Sequence, residues 1–201
     1  MNRSERNQIR RTMRRQRRAL SEQERQRRSN ALVMQLLRTP LFRRSRHIAL
    51  YISNDGEVDL HALAERACRM GKRCYLPVLS PLFHNRLWFA PYRPGCRMTP
   101  NRFGIPEPDV ACSAMRRVWS LDLVLAPLVA FDAMGNRLGM GGGFYDRTFA
   151  YLNQRHRWHK PRILGTAFEF QRVGELPCES WDVPMNGIIT ETQFYETEER
   201  S

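Results

Sequence analysis

The sequence lacks the features that place a chain across a membrane or outside the cell. Its longest apolar stretch, residues 123–131, is far shorter than the roughly 20 residues that a membrane-spanning helix needs. Its five cysteines are scattered and form no C-x-x-C pair, so neither a disulfide framework nor a zinc knuckle is indicated. The N-terminal segment MNRSERNQIRR has no apolar signal region. We therefore expect no membrane association and a reducing, cytoplasmic location.

Lysine is also scarce, because Lys72 and Lys160 are the only two among 33 basic residues. The rest are arginines, whose planar guanidinium groups favour phosphate and carboxylate ligands. Residues 1–46 hold 15 of the basic residues and three of the acidic ones, so this arm carries +12 of the net charge of +13. A solvated helix and a nonspecific nucleic-acid contact are alternative interpretations of the arm. Since the remaining chain is nearly neutral, we expect no nucleic-acid partner.

The hydrophobic pattern predicts an α/β protein. Hydrophobic residues make up 42% of the 201 residues and charged residues 26%, which is typical of a globular chain, and we expect one domain over 1–201. Ile9, Met13 and Leu20 predict a basic helix over 1–20, and the capping sequence SEQE opens a second helix that ends near Pro40. Strands then alternate with helices, which predicts a mostly parallel sheet in a three-layer α/β/α arrangement, preceded by the two helices. The predicted strands are HIALYIS, RCYLPV, RLWFAPY, LDLVLAPLVAF, RILGTAF and GIIT, with a long loop around FGIPEP.

A glycine-rich segment follows the most apolar predicted strand. Glycines at 139, 141, 142 and 143 expose backbone N–H groups that can bind an anion, and a helix is predicted to begin near Phe144. Neither a G-K-[ST] sequence nor a complete G-x-G-x-x-G fingerprint is present. A flexible connection is the structural alternative. Arg137 and Arg147 favour phosphate binding, and Asp146 is suited to Mg²⁺.

Several segments together resemble one enzyme family. They are PLVAFDAMGNRLGMGGGFYDR, which matches nearly throughout, and the arm IRRTMRRQRRAL, YISNDGEVD, GIPEP and LPCESWDVPMNGIIT, which agree in order and spacing. The chain resembles the 5-formyltetrahydrofolate cyclo-ligases, also called 5,10-methenyltetrahydrofolate synthetases, over about residues 6–190. The resemblance implies that ATP and Mg²⁺ are used to convert 5-formyltetrahydrofolate, with or without a polyglutamate tail, into 5,10-methenyltetrahydrofolate, ADP and phosphate. The formyl oxygen is phosphorylated, and phosphate leaves after N10 closes the ring.

The resemblance also implies site residues. Catalytic roles fall on Arg10, Arg137 and Tyr145, and metal contacts on Asp146 and Asp182. ATP binding falls on Arg6, Asn7, Gln8, Ile9, Arg10, Arg137, Leu138, Gly139, Met140, Gly141, Gly142, Gly143, Phe144 and Tyr145. Substrate binding falls on Arg10, Ile52, Glu57, Met140, Gly141, Gly142, Gly143 and Phe144.

Other interpretations of these residues stay open. The alternative for Glu57 is an acid in a surface turn. The alternative for Asp146 is an acid that compensates the dipole at a helix N-terminus, and the alternative for Asp182 is a capping or turn residue. Gln171 resembles a family glutamine near the site, with a loop-surface position as the alternative. The other arginines of the arm, Arg14, Arg15, Arg17 and Arg18, are expected on a solvated face. Some members of the family carry a basic residue where Met140 or Gly142 stands, so basic contacts must come from Arg137, Arg147 or the arm. A catalytically silent relative with the same fold is a further possibility.

Overall fold

A seven-stranded sheet forms the centre of the computed structural model, which describes residues 3–83, 85–153, 160–176, 179, 182–183 and 185–197. Its strands are β1 (His47–Ala49), β2 (Arg73–Leu79), β3 (Leu87–Tyr92), β6 (Leu123–Pro127), β9 (Arg162–Thr166), β10 (Gly187–Ile189) and β11 (Phe194–Glu196). The spatial order is β11-β10-β9-β6-β1-β2-β3. The five central strands run parallel, while β3 and β11 are antiparallel edges. Two small hairpins lie outside this sheet: β4 (Met98–Pro100) with β5 (Pro106–Pro108), and β7 (Ala130–Phe131) with β8 (Arg137–Leu138).

Helices cover both faces of the sheet. Helices α2 (Glu22–Arg38), α3 (Pro40–Arg44) and α4 (His61–Arg69) pack on one face, where Leu36 and Leu63 join Leu125 in one apolar cluster. Helix α5 (Phe144–Phe149) packs on the other face, where Phe149 joins Val124. Val124 and Leu125 point to opposite faces because side chains alternate along a strand. The predicted three-layer α/β/α fold is confirmed, and none of the helices in these described ranges is long and apolar enough to span a membrane.

The two predicted N-terminal helices are present. Helix α2 begins where predicted, because the Ser21 side chain accepts a hydrogen bond from the Glu24 N–H, and it ends at Arg38, just before Thr39 and Pro40. Helix α1 (Arg3–Ala19) lies beside the three layers and docks through Ile9 and Met13 onto a small cluster of Ala130, Leu138 and Leu176. Residues 1 and 2 of the helix predicted over 1–20 lie outside the described residues.

Some predicted strands are shorter or interrupted. The apolar run expected to form one strand over 121–131 divides at Pro127 into β6 and β7. Between the two strands, the carbonyl groups of Leu128 and Val129 accept hydrogen bonds from the Gln171 side chain. The first predicted strand, HIALYIS, is regular only over His47–Ala49.

Three features were not predicted. The loop around FGIPEP contains the β4–β5 hairpin, the glycine-rich segment is preceded by the β7–β8 hairpin, and Phe194–Glu196 forms β11. All three are strands of two or three residues, which are too short to show an alternating pattern. The β7–β8 hairpin matters most, because β8 supplies Arg137 and delivers the chain to the glycines.

Candidate functional site

A cavity of about 1120 Å³ opens beside α1, where the chain leaves the parallel strands β1 and β6. This is the position at which open α/β sheets bind ligands, because loops from neighbouring strands converge there. The cavity brings together most of the predicted site residues: Arg6, Asn7, Arg10, Ile52, Glu57, Arg137, Gly139, Met140, Gly141, Gly142, Gly143, Phe144, Tyr145, Asp146 and Asp182. Segments that are more than 120 residues apart in sequence therefore form one site.

Three residues expected in the ATP site do not line this cavity. Leu138 belongs to a small apolar cluster beside α1, and Ile9 packs against that cluster. Gln8 is exposed. A helix turns by about 100° per residue, so Asn7 and Arg10 can face the cavity while Gln8 and Ile9 face elsewhere. Of the range predicted from residue 6 to residue 10, the cavity is therefore lined by Arg6, Asn7 and Arg10, and the ATP contacts stay a prediction.

The glycine loop needs its glycines. Gly141 and Gly143 have φ values of +99° and +63°, a region that other residues rarely adopt. A Cβ atom on Gly143 would lie 2.9 Å from the Arg147 guanidinium, which itself donates to the Gly142 carbonyl. Helix α5 begins at Phe144 as predicted, but it has only six residues, so the loop's amides rather than a long helix dipole supply the anion-binding capacity.

Arg10 connects α1 with this loop. Its Nε–H donates to the Gly139 carbonyl at 2.9 Å, and its Nη1 donates to Asn7 Oδ1 at 3.0 Å. The guanidinium carbon lies 3.7 Å from where a Gly141 Cβ would stand, so the missing side chain leaves room for the arginine. Burial, followed by the positive charge of Arg6, lowers the pKa of Arg10. The structure thus places a fixed positive charge against the glycine loop, as the sequence predicted.

Arg6 and Arg137 approach the cavity with their carboxylate partners. Arg6 Nη1 donates to Glu179 Oε1 at 3.0 Å, and its Nη2 lies 3.7 Å from Asp182 Oδ2. Arg137 Nη2 donates to Asp146 Oδ1. Among the atoms that the structure describes, the buried Nε of Arg6 and that of Arg137 have no hydrogen-bond partner. Because an unpaired buried donor costs free energy, both guanidinium groups are suited to an additional anionic ligand.

The two predicted metal ligands are Asp146 and Asp182, and both line the cavity. Within the described part of the chain, no group of three or more His, Cys, Asp or Glu residues could hold a metal ion by itself. Mg²⁺ usually keeps several waters and takes only one or two carboxylates together with substrate phosphates. Two carboxylates beside the glycine loop fit that pattern, and a protein-only metal cage does not.

Glu57 is a buried acid at the far side of the cavity. Its side chain accepts a hydrogen bond from the Asn54 N–H at 3.2 Å, and the turn that carries it follows β1. Burial raises the pKa of Glu57 to about 7, and the positive charge of Arg17 is the largest opposing effect. The interpretation of Glu57 as a surface turn acid is therefore wrong. A buried acceptor of this kind discriminates between ligands that offer N–H groups and ligands that do not.

Tyr145 lies near Glu57 in the same cavity. Burial, with the negative charge of Glu57 as the second cause, raises the pKa of the Tyr145 phenol. The hydroxyl therefore stays protonated at neutral pH and can donate a hydrogen bond. Phe144 contacts Phe103 edge to face with ring centroids 6.1 Å apart, and these rings provide an apolar wall for a flat heterocycle. Phe103 belongs to the β4–β5 hairpin loop.

The C-terminal half of α1 corrects one prediction. Arg14 and Arg17 bind Asp55 Oδ2 at 2.6 and 2.9 Å, and Arg18 binds Asp55 Oδ1. Arg17 is 0% exposed. The predicted solvated face is therefore wrong for Arg17, whereas Arg14 is partly exposed and Arg15 and Arg18 are exposed. The sequence signal for the burial of Arg17 is Asp55 in the NDG turn, because a buried arginine needs an acidic partner.

Gln171 is neither on a loop surface nor in the cavity wall. It is 1% exposed, and its amide donates to the carbonyl groups of Leu128 and Val129 at 2.8 and 2.9 Å. Its Oε1 accepts from the Phe168 N–H at 2.9 Å. Gln171 therefore shapes the chain where β6 ends, upstream of the hairpin that leads to the glycine loop.

Comparisons with known proteins agree on one family. The model of the 5-formyltetrahydrofolate cyclo-ligase family matches residues 2–191. The 5-formyltetrahydrofolate cyclo-ligase of Escherichia coli strain K12 is 38% identical over 184 residues, which cover 92% of this chain and 99% of that protein. The Haemophilus influenzae enzyme of the same name is 40% identical over 191 residues, with coverage of 94% and 99%. The solved structure of Aquifex aeolicus 5,10-methenyltetrahydrofolate synthetase has a TM-score of 0.79 at 31% identity, and covers 98% of this chain and 95% of that one.

Proposed function

The chain belongs to the 5-formyltetrahydrofolate cyclo-ligase family and is an enzyme, and from this premise we propose that it couples ATP hydrolysis to ring closure of 5-formyltetrahydrofolate. The products are 5,10-methenyltetrahydrofolate, ADP and phosphate. The observation that carries the proposal is the single cavity in which the glycine loop, Arg10 and Glu57 meet. In this proposal residues 1–201 act as one cytoplasmic domain with a small-molecule substrate, whose helix α1 belongs to the nucleotide site. The free thiols among the described cysteines support a reducing compartment.

The chemistry requires activation of a poor electrophile. The formyl oxygen takes the terminal phosphoryl group of ATP, and the lone pair of N5 forms a double bond to the formyl carbon. N10 then attacks that carbon and loses its proton, after which the C–O bond breaks and phosphate leaves. Such phosphoryl transfers depend mainly on positioning and on stabilisation of charge.

The nucleotide's phosphates would lie between the glycine loop and α1. The loop amides and the guanidinium groups of Arg6, Arg10 and Arg137 offer donors from several directions. The buried Nε atoms of Arg6 and Arg137, which have no acceptor within the described residues, would gain one. Arg10 and Arg137 would stabilise charge on the transferred group. The neutral Tyr145 hydroxyl would donate to an oxygen of the reacting centre.

Mg²⁺ would be held by Asp146 and Asp182, directly or through water, together with phosphate oxygens. When bound, the ion would neutralise phosphate charge. Each carboxylate is already paired with an arginine of the cavity, Asp146 with Arg137 and Asp182 with Arg6. These pairs orient the carboxylates before ligands arrive. The protein's own contribution is therefore a pair of oriented oxygen ligands.

The folate ring would lie against Ile52, Met140 and Phe144, with its N–H groups directed at Glu57. A carboxylate that has already lost its hydration shell gains most from ligands that restore two hydrogen bonds. A ring without those N–H groups would leave the carboxylate unpaired, and would be rejected. This arrangement supports a reduced pterin as the substrate class.

The proposal is tested by mixing the protein with ATP, Mg²⁺ and 5-formyltetrahydrofolate and following the methenyl chromophore. We expect its appearance only when all three are present. Asp146→Ala should reduce turnover by orders of magnitude without unfolding the protein, while Asp109→Ala, which removes an exposed acid paired with Arg97, should have no effect. Binding of ligands without turnover would indicate a silent relative, and retention on nucleic acid that falls steeply with salt would favour the alternative role of the arm.

A further inference from the structure

Arg17 is a fully buried arginine that the proposed reaction does not use. It is the largest fully buried side chain of the described residues and lies in the C-terminal half of α1. Its Nη2 donates to Asp55 Oδ2 at 2.9 Å, its Nη1 donates to the Leu128 carbonyl at 3.3 Å, and the same Nη1 lies 3.8 Å from Glu57 Oε1. One guanidinium therefore joins α1 to the turn after β1 and to the end of β6.

The turn that carries Glu57 depends on this contact for its shape. Asp55 has a φ of +54°, which is unfavourable for a residue other than glycine, and Gly56 follows at +73°. A Cβ atom on Gly56 would lie 3.0 Å from the Arg17 carbonyl oxygen, so the helix backbone approaches the turn closely. Burial alone would raise the pKa of Asp55, but hydrogen bonds from Arg14, Arg18 and Arg17 hold it below its ordinary value. Asp55 therefore stays charged, and its ion pairs with these arginines hold the turn against α1.

The charge on Glu57 depends on few neighbours. The titratable and charged groups that face it come from α1, from its own turn, from the chain after β1 and from α5, and they are Arg14, Arg17, Asp55, Tyr51 and Tyr145. Both tyrosines have a pKa raised first by burial and stay neutral, and Asp55 is negative. Among these described neighbours the positive charge comes from α1, and Arg17 exerts a larger effect on Glu57 than Arg14 does.

We propose that Arg17 is a positioning residue for the folate substrate: its guanidinium holds the 54–57 turn in place and keeps Glu57 ionised to accept the pterin N–H groups. The inference rests on the proposed function through the role of Glu57. It assigns α1 two tasks, because the same helix presents Arg10 to the glycine loop and Arg17 to the folate acid. Docking of the helix then prepares both halves of the cavity.

The test measures 5-formyltetrahydrofolate binding by titration calorimetry, without ATP, between pH 5.5 and 9. Affinity of the unchanged protein should fall as Glu57 takes up a proton. In Arg17→Met this fall should occur at higher pH by about 1–3 pH units, the usual influence of an opposite charge at this distance. Above its shifted midpoint the variant should bind as the unchanged protein does, so the two affinities should converge as the pH rises toward 9. A merely structural defect would weaken binding equally at every pH.

Three further variants complete the test. Arg18→Met removes an exposed arginine from the same Asp55 and should leave the pH profile unchanged. Arg17→Lys retains a positive charge and should restore the profile. Arg17→Gln retains a donor for the Leu128 carbonyl and serves as the second neutral variant if Arg17→Met does not fold. Asp55 keeps Arg14 and Arg18 in either neutral variant, so no buried carboxylate there is left without a partner.

The outcomes separate this inference from the proposed function. Glu57→Gln should weaken binding and abolish the pH dependence; if it binds the folate as well as the unchanged protein, the proposed role of Glu57 fails. If Glu57→Gln behaves as expected but neither neutral Arg17 variant moves the profile, only the role of Arg17 is overturned. A profile that moves equally in Arg18→Met would also overturn it, because general loss of helix charge would then explain the effect.

Discussion

Helices α1 and α2 have the same length of 17 residues, but α1 holds eight arginines and α2 holds four, and they contribute to the protein in opposite ways. Helix α2 buries Leu32, Val33 and Leu36 in the core beneath the sheet. Helix α1 buries only Arg17 and touches a small apolar cluster through Ile9 and Met13. The difference shows that α2 is held by apolar area, whereas α1 is held largely by charged contacts to the glycine loop and to the turn after β1.

The arginines of the two helices differ accordingly. In α2, Arg27 is 72% exposed and pairs with Glu24 of the same helix, an arrangement that solvent largely screens. In α1, Arg14, Arg17 and Arg18 bind Asp55, which lies 37 to 41 residues along the chain. An intrahelical pair supports only its own helix. A long-range buried pair fixes one segment against another.

The largest contrast is expected in catalysis. Arg10→Ala on α1 should lower turnover by on the order of 10²–10³-fold, because a preorganised charge at the transferred phosphoryl group is lost. Arg27→Ala on α2 should change turnover less than twofold. The methenyl absorbance measures both, with circular dichroism as the control for folding. Equal activity of the two variants would remove the functional distinction between the helices.

Truncation of an apolar side chain should affect stability more in α2 than in α1. Leu36→Ala in α2 removes a fully buried side chain and should lower the free energy of unfolding by about 3 kcal/mol. Met13→Ala in α1 removes a half-buried side chain and should lower it by about 1 kcal/mol. Urea denaturation measures both. A cost for Met13→Ala as large as that for Leu36→Ala would mean that α1 belongs to the core.

The contributions of Glu57, which faces α1, and of Glu24, which lies on α2, to the free energy of unfolding should depend on pH in opposite directions. The folded-state pKa of Glu57 is raised to about 7, so its stabilising contribution is present at low pH and is lost as pH rises from about 4.5 through 7. Glu57→Gln should remove this loss, which is on the order of 3 kcal/mol, between pH 5 and 8.

Glu24 on α2 is the matched control. Hydrogen bonds from Arg27 and Arg28 lower its pKa to about 2, so its contribution is present above about 4.5 and is lost only as pH falls through about 2. Glu24→Gln should therefore leave the slope between pH 5 and 8 unchanged. Urea midpoints at each pH measure both variants, and a flat profile in the unchanged protein would contradict the burial of an ionised Glu57.

The smallest expected effect is that of ionic strength on the local opening of α1. Raising the ionic strength from about 0.05 to 0.5 M should accelerate amide hydrogen exchange in α1 by a few-fold, because the partly exposed pairs of Arg6 and Arg14 are screened. Exchange in α2 should change less, since its apolar contacts are insensitive to screening. Equal acceleration in both helices would indicate global destabilisation and not release of α1.

Much of the fold followed from local patterns. The start of α2 at a capping sequence, the docking residues Ile9 and Met13 of α1, and the central strand β6 all agree with periodicity and capping. The hairpins β4–β5 and β7–β8 and the edge strand β11 did not, because strands of two or three residues are stabilised by their partners and show no period of their own.

The site shows the same division. Glycines at positions that require positive φ, and their nearness to Arg137 and Asp146, are visible in the sequence as a motif. The burial of Arg17 is not visible in the sequence. The spacing of arginines along α1 predicts a solvated face, and this spacing is the same whether or not an acidic residue from another segment lies against the helix. Asp55 becomes that acid only when the turn after β1 is brought to α1.

Local sequence by itself determined the family resemblance, the central α/β pattern and the loop that exposes backbone amides, since these depend on residues close together in the chain. Tertiary structure alone decided which arginines of α1 meet the glycine loop, which are buried against Asp55, and how acidic Glu57 is. The physical reason is that electrostatic energies and desolvation depend on distance through space and on exclusion of water, and neither is set until distant segments pack together.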